Sequence, residues 1–176
     1  MNLVNVRRFD QRRTGPRPMM PPFPILILAA GQSARMRGAD KLAERVDGIP
    51  LLRAQAQKAL EVSDLVFVAL RGRNHPRTAY LTDLPVILLA VPDAIEGMSG
   101  TLRGAVAQLP DCTYFMVLLA DLPELTGDDL QTVVTSVNTH PNNLIWRGAT
   151  ADGAPGHPIV FAASLRPEFA LLAGQR

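Results

Sequence analysis

Four stretches of this chain are apolar at every position: Ile25–Ala30, Leu65–Leu70, Val86–Val91 and Tyr114–Ala120. Short apolar runs without polar alternation predict strands covered on both faces. Leu51, Leu52, Ala56, Ala59 and Leu60 instead recur at helical spacing behind Pro50, which predicts a helix over Leu51–Leu60. A second helix is expected over about Thr101–Gln108, after the loop Pro92–Gly100. A third follows Thr126, an N-cap with the acidic Asp129 in its first turn, and runs to about Val137. Asn143–Arg147 and Pro158–Phe161 are shorter candidate strands, and Ser164 is expected to cap a last helix to Ala173. Asp47–Gly48 marks a turn, and Arg71–Tyr80 a loop with a short helix. This order predicts an α/β fold: a three-layer, Rossmann-like arrangement with a mostly parallel sheet and helices on both faces. Such sheets bind ligands beyond the carboxyl ends of their strands, so the loops after Ala30, Val91 and Ala120 should meet in one crevice.

Composition changes this picture mainly at the N-terminus. The chain has 176 residues, enough for one domain with a sizeable core. Residues 1–22 are rich in Arg and Pro and lack apolar periodicity, which predicts a disordered basic tail ahead of a domain over 23–176. The pair Met19–Met20 would also suit a later start. The net charge of +2 is misleading, because Arg7, Arg8, Arg12, Arg13 and Arg17 stand against Asp10 alone in the tail. The body is therefore mildly acidic and gives no reason to expect nucleic acid as a partner. No apolar run is long enough to span a membrane. Cys112 is the sole cysteine, which rules out an internal disulfide and a zinc site built on cysteines. A cytoplasmic location is expected.

The candidate chemistry clusters in the predicted loops. After Ile25–Ala30 the chain reads Gly31-Gln32-Ser33-Ala34-Arg35-Met36-Arg37, then Lys41. Gly31 permits close approach to the backbone, successive N–H groups can cradle phosphate oxygens, and Arg35 and Lys41 can neutralise them. An ordinary solvated loop fits the same residues. Neither G-x-x-x-x-G-K-[ST] nor G-x-G-x-x-G is present. Asp121 ends the most apolar strand, where a carboxylate can hold Mg²⁺; it equally suits the opening of a turn stiffened by Pro123. Lys58, the only other lysine, reads as solvated helix surface. His157, between Gly156 and Pro158, is either a substrate contact or part of a structural turn. His75 and His140 lie in distant polar segments, so no histidine metal site is expected. Ser33 suits a neighbour of phosphate or base better than a nucleophile.

Together these segments resemble the MobA/MocA-like nucleotidyltransferases over about Pro24–Arg176. Leu28-Ala29-Ala30-Gly31-Gln32-Ser33-Ala34-Arg35-Met36 with Gly38 and Asp40-Lys41-Leu42 resembles the family's opening signature. Gly97-Met98-Ser99-Gly100-Thr101-Leu102 resembles its second loop, Leu119-Ala120-Asp121-Leu122-Pro123 its metal-binding segment, and Gly156-His157-Pro158-Ile159-Val160-Phe161 the segment near its substrate site. The resemblance implies nucleotidyl transfer, with Lys41, Arg35 and Asp121 catalytic and Asp121 holding Mg²⁺. It places Leu28, Ala29, Ala30, Gly31, Ser33, Lys41, Ser99 and Thr101 at the nucleotide, and Met98 and His157 at the acceptor. Within the family, Leu28-Ala29-Ala30-Gly31 is most similar to the molybdenum cofactor cytidylyltransferase group, because guanylyltransferases usually read Leu-Ala-Gly-Gly and the Ala30 methyl would crowd a purine. The implied substrates are CTP and molybdopterin, and the implied partner is a molybdenum enzyme. Two departures stand out. Val91 lies where the family usually has asparagine. Gln175 lies where its second metal carboxylate is expected, in a chain that looks truncated after Arg176. The alternatives are transfer with another base or acceptor, or a non-catalytic nucleotide- or partner-binding protein.

Overall fold

The computed structural model describes residues 4–6, 23–31 and 40–173. Its centre is a seven-stranded sheet. In chain order the strands of the molecule are β1 (Val4–Val6), β2 (Ile25–Leu28), β3 (Arg45–Val46), β4 (Ile49–Pro50), β5 (Val66–Leu70), β6 (Ile87–Ala90), β7 (Tyr114–Leu119), β8 (Ile145–Ala149) and β9 (Pro155–Ala162). The main sheet has the order β1-β8-β9-β7-β2-β5-β6, and β3 and β4 form a separate hairpin around Asp47–Gly48. Within the main sheet, among the described residues, only β9 runs against its neighbours and the other pairings are parallel.

Three of the four apolar runs become strands for the reason their composition suggests, covered on both faces, whereas β6 lies at the sheet edge and leaves Ile87 45% exposed, contrary to the expectation. Ile25 and Ile27 of β2, Val66, Val68 and Leu70 of β5, and Met116 and Leu118 of β7 join one core. The alternate residues Leu26, Phe67, Ala69, Phe115 and Val117 join the other. Helices α1 (Leu51–Leu60) and α3 (Gly127–Thr139) cover the first face with Leu52, Ala56, Leu130 and Val134. Helices α2 (Met98–Val106) and α4 (Arg166–Ala170) cover the second with Ala105, Val106 and Phe169. Phe115, Phe161 and Phe169 pack ring against ring there, with centroids 5.0–5.6 Å apart. The expected three-layer α/β architecture with a mostly parallel sheet is therefore observed.

Several boundaries move. Helix α2 starts at Met98 rather than Thr101. Gly97, at φ +96°, ends a 3₁₀ turn over Pro92–Glu96, and the helix begins immediately after it. Gly100 then lies so close to that turn that an added Cβ would overlap the Asp93 carbonyl oxygen. Strand β9 starts at Pro155 rather than Pro158, because the backbone of Thr150 pairs with that of Ala154 and continues the ladder with β8. The last helix spans only Arg166–Ala170, and Ser164 lies in a preceding 3₁₀ turn instead of capping it. Thr126 does cap α3: its side chain accepts the Asp129 N–H, and Asp129 accepts the Thr126 N–H at 3.0 Å. Within the basic N-terminal segment, Val4–Val6 pairs in parallel with β8. No helix among the described residues is long and apolar enough to cross a membrane.

Candidate active site

The parallel strands β2, β5, β6 and β7 end together, so the segments that follow them share one edge of the sheet. Antiparallel β9 enters at the same edge: Ile159 pairs with Val117, which sets His157 beside the end of β7. Lys41 and Asp121, 80 positions apart, meet there, with Nζ donating to Oδ2 at 3.1 Å. Both side chains are roughly half-exposed, at 45% and 44%, so the pair presents its charges to the edge.

Each partner is held from behind. Asp40 caps the 3₁₀ turn Lys41–Ala43, its Oδ1 accepting the Leu42 N–H at 3.1 Å. Arg77 holds Asp40 through a two-pronged pair, Nε to Oδ2 at 2.8 Å and Nη2 to Oδ1 at 2.7 Å. These bonds keep the Asp40 carboxyl below the usual carboxylate range. On the other side, Gln55 of α1 donates to the Leu122 carbonyl and Lys58 to the Pro123 carbonyl at 2.9 Å. Lys58 is therefore not idle surface; with Gln55 it fixes the segment that carries Asp121.

The alanines of the opening segment contribute backbone. The methyls of Ala29 and Ala30 are each 1% exposed and lie in opposite cores. Their carbonyls face the edge, that of Ala29 accepting from Arg77 and that of Ala30 from Arg71 Nε at 3.3 Å. Gly31 is exposed, and its carbonyl accepts from Arg77 at 2.9 Å. Leu28 packs against the α2-side core. Met98, 60% exposed, and Ser99 occupy the first turn of α2. Thr101 is buried and donates Oγ1 to the Gly97 carbonyl at 2.9 Å, closing that turn. Val91 is fully buried in the α2-side core and presents no side chain to the edge. Ser33, Arg35, Arg37 and Gln175 lie outside the described residues.

His157 is half-buried, and the peptide to Pro158 is cis. Burial lowers the imidazole pKa; a hydrogen bond to the Val117 backbone opposes that, the Arg147 charge adds to it, and the Asp121 carboxylate opposes it. Arg147 is itself fixed by its Nε–H bond to the Gly156 carbonyl at 3.0 Å. A depressed folded pKa means that the unfolded chain takes up the proton first as pH falls. The stability contributed by neutral His157 is thus full above about pH 6.5 and declines from there down to the folded value. His157→Gln is expected to flatten the fall in urea midpoint between pH 6.5 and 5.5, leaving the same-signed contribution of His75, whose pKa burial also lowers. Urea titrations of both proteins at pH 7.5, 6.5 and 5.5 check this; parallel pH profiles would refute it.

Sequence reasoning missed Arg77, Gln55 and Arg147. Gln55 carried a signal, a polar side chain on the apolar stripe of α1. Arg77 carried none, since its partners lie 37 to 48 positions away.

The expected metal site is corrected. Among the described residues no three His, Cys, Asp or Glu side chains come together to hold a metal ion. The Asp121 carboxylate, the expected Mg²⁺ ligand, has the Lys41 ammonium against it. Among the described residues this donor set does not fit a magnesium centre.

A parallel sheet edge of this kind suits many ligands, and comparison with known proteins decides among them. Residues 25–176 match the model of the MobA-like NTP transferase domain. The chain belongs to this family and is a nucleotidyltransferase by fold and membership. It is 31% identical over 160 residues to a molybdenum cofactor guanylyltransferase of Burkholderia vietnamiensis, covering 89% of this chain and 73% of that one. It is 28% identical over 147 residues to a molybdenum cofactor guanylyltransferase of Rhodopseudomonas palustris, covering 72% of this chain and 66% of that one. The crystal structure of Rv0371c from Mycobacterium tuberculosis superposes with a TM-score of 0.73 at 25% identity, covering 88% of this chain and 78% of that one. These relatives overturn the cytidylyltransferase expectation and with it CTP. The structure shows why the Ala30 argument failed: that methyl points into the core rather than toward a base.

Proposed function

We propose that this chain transfers a guanylyl group from GTP to the phosphate of molybdopterin and releases pyrophosphate. The likeness to proteins named molybdenum cofactor guanylyltransferases carries this choice of base and acceptor. An acceptor phosphate oxygen attacks the α-phosphorus. As that bond forms, the bond from the α-phosphorus to the bridging oxygen breaks and its electron pair leaves with pyrophosphate. Such transfer needs positioning and charge stabilisation rather than a covalent intermediate. Lys41 supplies positive charge to the phosphates, together with Arg35, while Asp121 aims the Lys41 ammonium. The backbone of Leu28, Ala29, Ala30 and Gly31, with Ser33 and Ser99, forms the nucleotide side, and Thr101, expected there too, instead holds the turn that carries Ser99 through its buried bond to the Gly97 carbonyl. Met98 and His157 form the acceptor side, where a neutral imidazole offers hydrogen bonding without added charge. The product would pass to a molybdenum enzyme in the cytoplasm.

Calorimetry tests the base. GTP is expected to bind at least about tenfold more tightly than CTP or ATP, roughly 1.4 kcal/mol. CTP binding as tightly as GTP would remove the guanylyl assignment.

A further inference from the structure

Arg77 sits in the 3₁₀ turn Pro76–Leu81, outside every segment that carries the family resemblance. Its side chain is only 5% exposed. Yet among the described residues every hydrogen bond of its guanidinium goes to the two ends of the opening loop. Nη1 donates to the Ala29 carbonyl and, at 2.9 Å, to that of Gly31, while Nε and Nη2 fork onto Asp40. Residues that leave β2 and the residue that precedes Lys41 are thus tied to one rigid plane. Asp40 in turn accepts the Leu42 N–H, which orients the turn from which Lys41 reaches Asp121.

Burying an ion pair is a poor way to gain stability, since an apolar side chain of similar volume often does as well. What a buried guanidinium adds is geometry: its donors lie in a fixed plane and fork onto a carboxylate. We propose that Arg77 is a positioning residue for nucleotidyl transfer, acting through Asp40 and the Ala29 and Gly31 carbonyls to set where the Lys41 ammonium stands against Asp121. The inference rests on the proposed role of Lys41, but its structural part can be read without turnover.

The same turn offers an internal control. Arg53 braces its far end, donating to the Thr82 carbonyl at 2.9 Å and pairing with Asp83 at 3.1 Å, without reaching the opening loop. Loosening the turn alone should therefore be mimicked by Arg53→Gln, and loss of positioning should not.

Lys41 and Lys58 are the only lysines of the unmodified chain, and the one that Arg77→Lys adds is read at its own position, so acetylation by an N-hydroxysuccinimide ester, followed residue by residue by mass spectrometry, reports the Lys41 environment directly. Arg77→Lys and Asp40→Asn are expected to raise the Lys41 labelling rate at least about threefold with Lys58 unchanged, and Arg53→Gln to leave both rates unchanged. In the transfer assay the first two should lower kcat/KM for GTP at least about tenfold, with Arg53→Gln within about twofold. Unchanged Lys41 labelling in folded Arg77→Lys and Asp40→Asn overturns the inference, as does equal acceleration in Arg53→Gln. If Arg77→Lys fails to fold, the near-isosteric Asp40→Asn decides alone. Accelerated Lys41 labelling in the two variants, with no transferase activity in the unmodified chain, would uphold the positioning and fault the proposed reaction instead.

Discussion

Lys41→Met is expected to lower kcat/KM for guanylyl transfer at least about 100-fold, roughly 2.7 kcal/mol of transition-state stabilisation. The ammonium stands at the carboxyl edge of the sheet, 3.1 Å from Asp121, in a turn whose first N–H bond is fixed by Asp40. Charge on a transferring phosphoryl group is stabilised best by cations held in place beforehand, because they need not reorganise as charge develops. Methionine keeps the stem and removes the charge. The side chain is 45% exposed, so the substitution leaves no buried gap and the fold should persist. Steady-state kinetics with a melting curve checks both halves. Activity within about threefold of the unmodified protein would show that Lys41 does not touch the phosphates.

Gly100→Ala is the second large effect, and it acts through the backbone. A Cβ at this position would overlap the Asp93 carbonyl oxygen and approach Glu96 Cβ at 3.0 Å. The obstacle is main chain, held by Arg103, which bonds Asp93 at 3.0 Å, Glu96 at 2.9 Å and the Leu172 carbonyl at 2.7 Å. The first turn of α2 must therefore shift, and Met98 and Ser99 shift with it. Overpacking of this kind costs about 2 kcal/mol, which for a domain of this size lowers Tm by about 4–8 °C. GTP affinity should fall with it, whereas an equally destabilising change remote from the edge, such as Val137→Ala in α3, should leave affinity intact. Calorimetry and thermal melts on the two variants separate the effects; unaltered GTP affinity in Gly100→Ala would detach the start of α2 from the nucleotide site.

The centre of the sheet was legible in the sequence because β2, β5 and β7 are buried on both faces and such strands announce themselves as unbroken apolar runs; β6 reads the same way although, at the edge, it leaves Ile87 exposed. Strand β9 was only half legible: Pro155, Gly156 and His157 are strand residues only because β8 and β9 continue their ladder past Arg147. The short pairing of Val4–Val6 left no trace in the pattern. Within the site, Asp121 could be placed at the edge from its strand alone, and the approach of Lys41 followed from loop order. The support behind them could not, because Arg77 meets its partners only in three dimensions. Ala30 shows a subtler limit. Its position in the motif was read correctly, but whether its methyl faces a ligand or the core depends on the face of the sheet it continues, and it continues the face of Leu26.

The central claim, guanylyl transfer to molybdopterin, is tested most directly with GTP labelled at the α-phosphate. The unmodified chain is incubated with molybdopterin, with GTP or CTP, and with each component omitted in turn, in buffer containing divalent salt. The account predicts label moving from GTP into the pterin, one pyrophosphate released per transfer, at least about tenfold more slowly from CTP, and none without acceptor. Faster transfer from CTP, or GTP turnover that ignores molybdopterin, would contradict it.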